Sequence, residues 1–186
     1  MSDGTVYNLL RNSDLTRNVL TAVTTAATGK AAYYRRANMG NAADPAYDSA
    51  GMHFTGPTID SNPNSGVGVE FAASDLGLVN GDTYVLSVEV ASLAAADANN
   101  GLTVWQHADK DKWWTGKATR SEWSSGAGVY HTSFVYDGSA YVCLLMSVGM
   151  AGSVTVTRFG LYHAASAAWA PAEGETLAGG GCSHDR

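Results

Sequence analysis

Short runs of alternating apolar and polar residues, separated by glycine-containing turns, recur along most of the sequence. The clearest run spans residues 83–90, where apolar side chains occupy every second position. A period of two places alternate side chains on opposite faces of an extended chain, so the run predicts a half-buried antiparallel strand. Comparable runs bring the prediction to about nine strands: Asn18–Thr24, Ala31–Arg36, Gly51–Thr55, Val67–Ala72, Leu102–His107, Val129–Tyr136, Ala140–Val148 and Ser153–Tyr162.

Helical periodicity is scarce between these runs. The Ala-rich piece Ser92–Asn100 supports a turn or two of helix at most, because Asn and Gly end it. Many short strands without interleaved helices predict an all-β fold, an antiparallel two-sheet β-sandwich of the jelly-roll type. Residues 129–136 and 140–148 are predicted to pair as a hairpin, because the turn cluster Asp137–Ser139 joins them.

The length and the charge limit the organisation and the partners of the chain. A chain of 186 residues suits one domain. We predict a single β-sandwich over residues 1–177, with an N-terminal arm over about residues 1–15 and a Gly-rich tail at 178–186.

A net charge of −6 with only 11 Lys and Arg argues against nucleic-acid binding. No run of 18 apolar residues or N-terminal signal pattern occurs, which predicts no membrane association and synthesis in the cytoplasm.

Four tryptophans fall within 19 residues and form the first candidate binding site. Exposed aromatic planes stack on the C–H faces of sugars, and neighbouring polar side chains reach sugar hydroxyls. The same rings would equally suit a sandwich core or a subunit contact, where Trp is also enriched. Adjacent aromatic residues cannot both face inward on a strand, so one of the pair 113–114 is predicted at a surface or interface. The candidate contact residues are Trp105, Gln106, His107, Trp113, Trp114 and Trp123.

The predicted strand 140–148 is apolar on both faces, whereas the outer face of a sandwich strand is usually polar. Its outward residues would be Tyr141, Cys143 and Leu145. Either a loop or another chain must cover them, and we favour a subunit interface. The two cysteines of the sequence form no disulfide framework, so free thiols are expected.

Three segments resemble the sequence pattern of one group of jelly-roll domains. Residues 7–15 (YNLLRNSDL) resemble an N-L-L-x-N-S-x-F opening, and residues 78–90 (LVNGDTYVLSVEV) resemble an L-x-x-G-x-T-Y-T-L-S-F strand. The strand 153–162, followed by WAPAE at 169–173, resembles a closing strand with an A-T-x-W-x-P-A-x-E-D ending. In this order they resemble the carbohydrate-binding-module-like jelly rolls of bacteriophage virion appendage proteins. The segment 161–165 (LYHAA) departs from the usual K-L-E-x-G of that pattern.

The resemblance implies a jelly-roll protein of the virion: a capsid decoration protein, a head fibre or a minor tail protein. It does not imply sugar binding, because such modules can keep the fold alone. Given this resemblance, we interpret Trp169 and Pro171 as a structural lock at the end of the last strand. The Trp169 ring would fold back over the end of the sandwich, and Pro171 would fix the direction in which the chain leaves.

The sequence gives little support for a metal site or a catalytic site. Structural Ca²⁺ is common in the jelly rolls that this chain resembles, and oxygen ligands could come from Asp97, Asn99, Asn100, Asp109 and Asp111. However, Asp109 and Asp111 alternate with lysines that would compete for their carboxylates. We therefore interpret this segment as a solvated turn. The Cys182–His184 end cannot supply four zinc ligands alone. No Gly-x-Ser-x-Gly occurs and no spacing selects a carboxylate pair, so we predict no cofactor and no catalytic residue.

We therefore expect a non-enzymatic virion structural protein, located on the virion surface and docked on capsid or sister subunits through apolar and aromatic surfaces. A homo-oligomer is expected, and a trimer would suit threefold positions of a capsid. The alternative is a minor tail or receptor-binding protein that binds host cell-surface glycans. A glycoside-active enzyme ranks third.

Overall fold

The computed structural model describes residues 6–11, 13–17, 24–25, 33–35, 45–56, 67–94, 100–110, 112–123, 126–148, 152–163, 169–171 and 173. Twelve strands lie in these ranges: β1 (Leu10–Arg11), β2 (Thr24–Thr25), β3 (Tyr33–Arg35), β4 (Ala46–Asp48), β5 (Gly51–Thr55), β6 (Val67–Ala72), β7 (Thr83–Ala94), β8 (Asn100–His107), β9 (Lys117–Ser121), β10 (Gly128–Val135), β11 (Tyr141–Val148) and β12 (Ser153–His163). Short 3-10 turns span Leu15–Arg17, Ala73–Leu76 and Trp113–Thr115.

Ten of these strands form two five-stranded antiparallel sheets. The first sheet has the order β10-β7-β12-β5-β4, and the second has the order β3-β6-β11-β8-β9. The short strands β1 and β2 pair with each other as a separate two-stranded sheet. The predicted all-β, two-sheet antiparallel sandwich is confirmed. None of the helices formed by the described residues is long and apolar enough to span a bilayer.

The inward faces of the two sheets form the main core. On β7 the inward side chains are those that the period of two predicts, including Leu86 and Val88, which are fully buried. The second sheet contributes Val142, Leu144 and Met146 from β11. Because each sheet buries one face in this core, the opposite face of each sheet is the surface available for contacts.

The predicted hairpin between residues 129–136 and 140–148 is wrong. All eight residues of β10 pair with β7 in the first sheet, whereas β11 lies between β6 and β8 in the second. The connecting residues therefore cross from one sheet to the other. The Tyr136 N–H donates to Asp82 O at 2.9 Å, and its hydroxyl donates to Ser139 O at 2.6 Å. A turn signal shows that the chain changes direction, but it does not show which sheet the next strand joins.

Asn8 attaches the N-terminal segment to β12. Its side chain is buried, and its Oδ1 accepts from the backbone N–H groups of Leu10 and Leu161 at 3.0 and 2.9 Å. Its Nδ2 donates to Ser13 Oγ at 2.7 Å and to the Phe159 carbonyl at 3.1 Å. The four bonds match the full capacity of an amide side chain, so this segment extends the first sheet along β12.

Trp169 and Pro171 lie beside this segment. The Trp169 indole N–H donates to Ser13 Oγ at 3.1 Å, and the Arg158 guanidinium stacks 4.9 Å from the centre of the indole ring. The Pro171 carbonyl accepts from the Asn8 N–H at 3.2 Å. The ring is half-buried. These contacts fasten residues 169–171 to the N-terminal segment and β12, while the structural-lock role itself stays a prediction.

Tyr162 gives the fold a marked alkaline sensitivity. Burial is the main cause that raises the pKa of its hydroxyl to about 12, from an ordinary value near 10. The folded state therefore holds the proton more tightly than the unfolded state, and the resulting stability is complete below pH 10 and lost as the pH rises to 12. We expect Tyr162→Phe to remove about 1–2 kcal/mol of this alkaline loss, because solvent screens part of the effect. Urea unfolding of both proteins from pH 8 to 12 would test it, and identical pH profiles would contradict it.

Candidate functional site

The outward face of β8 carries a row of side chains that could bind a ligand. Thr103, Trp105 and His107 point away from the main core because they alternate with the core residues Leu102 and Val104. The register places them directly opposite Leu145, Cys143 and Tyr141 of β11, respectively. We call the outer surface of the second sheet around these residues the outer face.

Trp113 covers part of the outer face. The connection between β8 and β9 carries this residue in its 3-10 turn, and its side chain is 1% exposed. The ring meets Trp105 edge-on at a centroid distance of 5.4 Å. Together with Cys143 and Leu145, these two tryptophans form a second buried apolar cluster, separate from the main core.

The predicted subunit interface requires correction, because this cluster buries most of it. Cys143 and Leu145 are 0% and 1% exposed within the chain itself. Of the three residues, only Tyr141 keeps partial exposure, and its ring stacks on His107 at 5.7 Å. Of the two predicted alternatives, a loop or another chain, the structure shows the first for Cys143 and Leu145. The connection between β8 and β9 covers these two residues.

The four clustered tryptophans do not share one exposed surface. Trp114 is 58% exposed and touches Trp113 edge-on at 5.8 Å, whereas Trp105 and Trp113 are buried. Trp123 packs in the main core, and its indole N–H donates to Ser147 O at 2.8 Å. A single open aromatic surface across residues 105–123 is therefore wrong. Trp123 does not face a ligand or partner, because its ring fills the sandwich.

Gln106 also faces away from the outer face. Its Nε2 donates to the Val135 carbonyl at 3.0 Å, and its Oε1 accepts from the Asp137 N–H at 2.9 Å. The residue is buried. Its amide therefore joins β8 to the end of β10, and the predicted ligand or partner contact of Gln106 is not supported by its position.

His107 connects three parts of the outer face. Its Nε2 lies 3.3 Å from Oε2 of Glu70 on β6, and both side chains are nearly inaccessible to solvent. Its Nδ1 lies 2.9 Å from the carbonyl oxygen of Asp109. Because Tyr141 also stacks on the ring, the imidazole is fixed in position and in plane.

Three polar atoms of β8 are buried without a hydrogen-bond partner: Thr103 Oγ1, Trp105 Nε1 and His107 Nε2. All three belong to the outward residues of one strand. The Glu70 oxygen beside Nε2 is within ion-pair distance, but the contact does not have hydrogen-bond geometry. Proteins satisfy most buried polar atoms, and a buried polar atom without a partner costs stability, so three unsatisfied atoms in one row are an unusual feature of this face.

Thr103 and Glu70 were not among the residues selected from the sequence. Thr103 could have been found, because it shares the period-two face of Trp105 and His107. Glu70 could not, because its approach to His107 depends on the order β6-β11-β8 in the sheet. The alternation of residues along a strand predicts which face of the sheet a side chain occupies. It does not predict which strand lies beside it.

The described residues contain no group of three or more His, Cys, Asp and Glu side chains placed to hold a metal ion. Asp109, one of the acids considered for Ca²⁺, pairs with Lys112 at 3.7 Å. The side chains of Asp97, Asn99, Asn100, Asp111 and Cys182 lie outside what the structure describes.

Comparison with solved structures supports the fold. The second N-terminal cellulose-binding domain of Cellulomonas fimi β-1,4-glucanase C is 14% identical and aligns with a TM-score of 0.50, covering 89% of this chain and all of that domain. A module described as CBM4 is 14% identical with a TM-score of 0.43, covering 70% of this chain and 84% of its own. The CBM22-1 xylan-binding domain of Paenibacillus barcinonensis is 9% identical with a TM-score of 0.41, covering 73% and 88%. The chain thus has a carbohydrate-binding-module-like β-sandwich. No protein-family model and no curated protein sequence matches it.

Proposed function

We propose that this protein is a non-catalytic glycan-binding module, with its ligand on the outer face of the second sheet. The observation that carries the proposal is the row of three unpartnered polar atoms on Thr103, Trp105 and His107. The shared fold with a cellulose-binding domain agrees with this ligand class.

The chemistry of the row suits a sugar chain. Sugar hydroxyls both donate and accept hydrogen bonds, so one ligand can pair with a threonine hydroxyl, an indole N–H and an imidazole nitrogen. Alternate residues of a strand are about 6.5–7 Å apart, so the three groups form an extended line. Indole rings beside that line can pack against the apolar faces of the sugar rings.

Access to the row requires a movement of its cover. Each unpartnered atom exposes less than 1 Å². Trp113 lies against Trp105, so a ligand that stacks on Trp105 must displace the turn Trp113–Thr115. Trp114, within this turn, and Tyr141 of β11 keep exposed surface and are the rings that a ligand would meet first.

The same face argues for binding without hydrolysis. Glu70 is the only carboxylate on the strands of the second sheet in the part of the chain that the structure describes. Glycoside hydrolysis ordinarily uses two carboxylates on opposite sides of the scissile bond. The neighbour of Glu70 is an imidazole instead, so the face offers recognition rather than an acid–base pair of that kind.

Thr103→Val separates stability from binding. Valine has the shape of threonine and removes a buried hydroxyl that has no partner, so the free energy of unfolding should stay the same or rise by about 1 kcal/mol. Glycan affinity should fall about tenfold, because one ligand hydroxyl loses its partner. Affinity would be measured by calorimetry with cellohexaose, xylohexaose and the best binders of an array of bacterial surface glycans.

Thr132→Val is the matched control. Thr132 is equally buried, but its hydroxyl donates to Leu102 O at 3.4 Å on the core side. This variant should lose stability and keep its glycan affinity. Absence of binding to every glycan of the set by the wild-type protein, or equal affinity of Thr103→Val, would reject the proposal.

A second candidate function is docking on a virion, as a capsid decoration or appendage protein. It rests on the sequence resemblance and on exposed valines: Val129 and Val135 lie on the edge strand β10 and are 44% and 55% exposed, and Val79 is 56% exposed. Apolar side chains on an edge strand suit a contact with a capsid or sister subunit, including a trimeric one. The glycan-binding module would then lie on the virion surface, where it could also serve host attachment.

Particle localisation tests this second candidate. The candidate requires a phage whose genome encodes this sequence, and virions of that phage would be purified and labelled with an antibody against the protein. Regular labelling of heads is expected, and Val129→Glu with Val135→Glu should abolish it without unfolding the protein. Labelling of tails alone would favour a minor tail protein, and unlabelled particles would reject a virion role.

A further inference from the structure

Arg120 lies on the outer face, beside the unpartnered hydroxyl of Thr103. The pairing of β8 with β9 puts Arg120 directly opposite Thr103, and Ala118 opposite Trp105. Directly paired residues of neighbouring strands point to the same side of a sheet, with β-carbons about 5 Å apart. Thr103 therefore has Arg120 on one side and Leu145 of β11 on the other.

The guanidinium of Arg120 holds its charge in a position that is partly shielded from water. The side chain is half-buried, and burial lowers the pKa of the guanidinium. The charge of Glu122 opposes this shift without cancelling it. Arginine stays protonated in proteins, so a positive charge persists here at neutral pH. An anion beside it would compensate for part of the hydration that burial removes.

The side chains on this part of the outer face mainly donate hydrogen bonds. Trp105 Nε1 and Thr103 Oγ1 are buried without a partner. An indole N–H and a guanidinium can only donate, whereas a threonine hydroxyl can donate or accept. Arg120 also interacts within the chain, but a guanidinium has five N–H donors in a planar fork and can bind a ligand beside its protein contacts. A ligand that pairs with all three side chains must therefore supply acceptors.

We infer that the glycan bound by the outer face is acidic, and that one of its carboxylates binds between Thr103 and Arg120. This inference rests on the proposed function and names the class of sugar that the same site would select. The guanidinium fork matches the two oxygens of a carboxylate, and the Thr103 hydroxyl can donate to one of them. A neutral sugar offers only hydroxyl and ether oxygens, which form weaker hydrogen bonds with a guanidinium.

Two carboxylates of the protein bear on this position. Glu122 follows β9 and is exposed, so its carboxylate is solvated and would compete with an acidic ligand for Arg120. Glu70 lies on β6, three strand spacings or about 14 Å from β9. Exposed charges farther than about 10 Å apart are largely screened at 0.1 M salt, which limits the effect of the net charge of −6.

A matched pair of oligosaccharides tests the inference. Cellohexaose and β-1,4-linked hexaglucuronate have the same backbone and differ in carrying a hydroxymethyl group or a carboxylate on each ring. Calorimetry at pH 7 should show hexaglucuronate bound about tenfold more tightly by the wild-type protein, because charged hydrogen bonds are stronger than neutral ones. Equal or tighter binding of cellohexaose would overturn the inference and leave the proposed function intact.

Two substitutions on β9 test where the carboxylate binds. Arg120→Gln should lower the affinity for hexaglucuronate about tenfold and leave the affinity for cellohexaose nearly unchanged. Lys117→Gln is the matched control, because it removes the same charge from an exposed residue opposite Gln106, whose amide faces away from the outer face. It should bind hexaglucuronate like the wild type. An equal loss in both variants would indicate attraction by the overall charge and would overturn the contact.

Glu122→Gln gives a test that does not depend on the folding of Arg120→Gln. It removes the competing carboxylate from an exposed position, so the affinity for hexaglucuronate should rise. Unchanged or lower affinity would overturn the inference. If neither hexamer binds, the array of bacterial surface glycans decides: acidic glycans as the tightest binders support the inference, and neutral ones overturn it. If no glycan binds at all, the proposed function and this inference both fail.

Discussion

Replacing Trp113 by alanine should lower the free energy of unfolding by about 3–5 kcal/mol, and the same change at the adjacent Trp114 should alter it by less than about 0.5 kcal/mol. The contrast follows from burial, because Trp113 is 1% and Trp114 58% exposed. Removing the Trp113 ring would leave Trp105, Cys143 and Leu145 uncovered. Urea unfolding of the two variants beside the wild type would measure both values.

The comparison also tests whether the outer face is covered by the chain itself. If Trp114→Ala were the destabilising variant, the two rings would have exchanged places. If neither variant changed stability, residues 113–114 would not pack on the sheet. Trp113→Phe should lose much less than Trp113→Ala, because a smaller ring keeps part of the contact with Trp105.

Gly51→Ala should cost about 3–5 kcal/mol, the second large effect that we expect. Gly51 has φ +127°, a conformation that residues with a side chain rarely adopt, and an added methyl group would overlap the carbonyl oxygen of Val156. That carbonyl belongs to the bulge in β12 between Val156 and Arg158. A β-carbon at residue 51 would thus force β5 away from β12 where the pairing of β12 with β7 is already irregular.

Gly77→Ala separates the steric effect from the conformational one. Gly77 also has a positive φ, +64°, but an added methyl group would meet no atom within 4 Å. Its replacement should cost only about 1–2 kcal/mol, the penalty for a left-handed backbone. Thermal unfolding of both variants would measure the difference, and equal losses would show that the contact with Val156 has no importance.

The alternation of side chains predicted the strands well where one face is buried in the core. The bounds predicted for β5 and β6 coincide with those observed, because apolar and polar residues, or glycines, follow each other regularly there. The pairing of the strands was harder to predict from the sequence. Residues 129–136 and 140–148 looked like a hairpin, yet the side chains of Gln106 and Tyr136 hold a connection that crosses between the sheets. The two contacts of Gln106 join residues about 30 positions apart and leave no local signal in the sequence.

The candidate site shows the same limit. The sequence identified Trp105 and His107 as chemically suitable and required that one of Trp113 and Trp114 face outward. It could not tell which one, because both have the same side chain and the turn decides the direction. It also placed Cys143 and Leu145 correctly on the outward face of β11, but the cover on that face comes from a connection whose path depends on Gly116. A β-carbon at Gly116 would overlap the Gln106 carbonyl, so the chain passes against β8 there.

The attachment of both terminal segments to β12 also determines how the domain would respond to mechanical force. Asn8 bonds to the Pro171 carbonyl and to the backbone of β12, and Asp14 pairs with Arg158 of that strand in an antiparallel bridge. A force that pulls residues 6 and 173 apart would break these bonds one after another, beginning with the bond between Asn8 and Pro171. The two sheets, whose strands pair over up to ten residues, would carry the load only afterwards. Under tension the module would first lengthen by releasing its terminal segments, while the outward side chains Thr103, Trp105 and His107 of β8 would keep their positions.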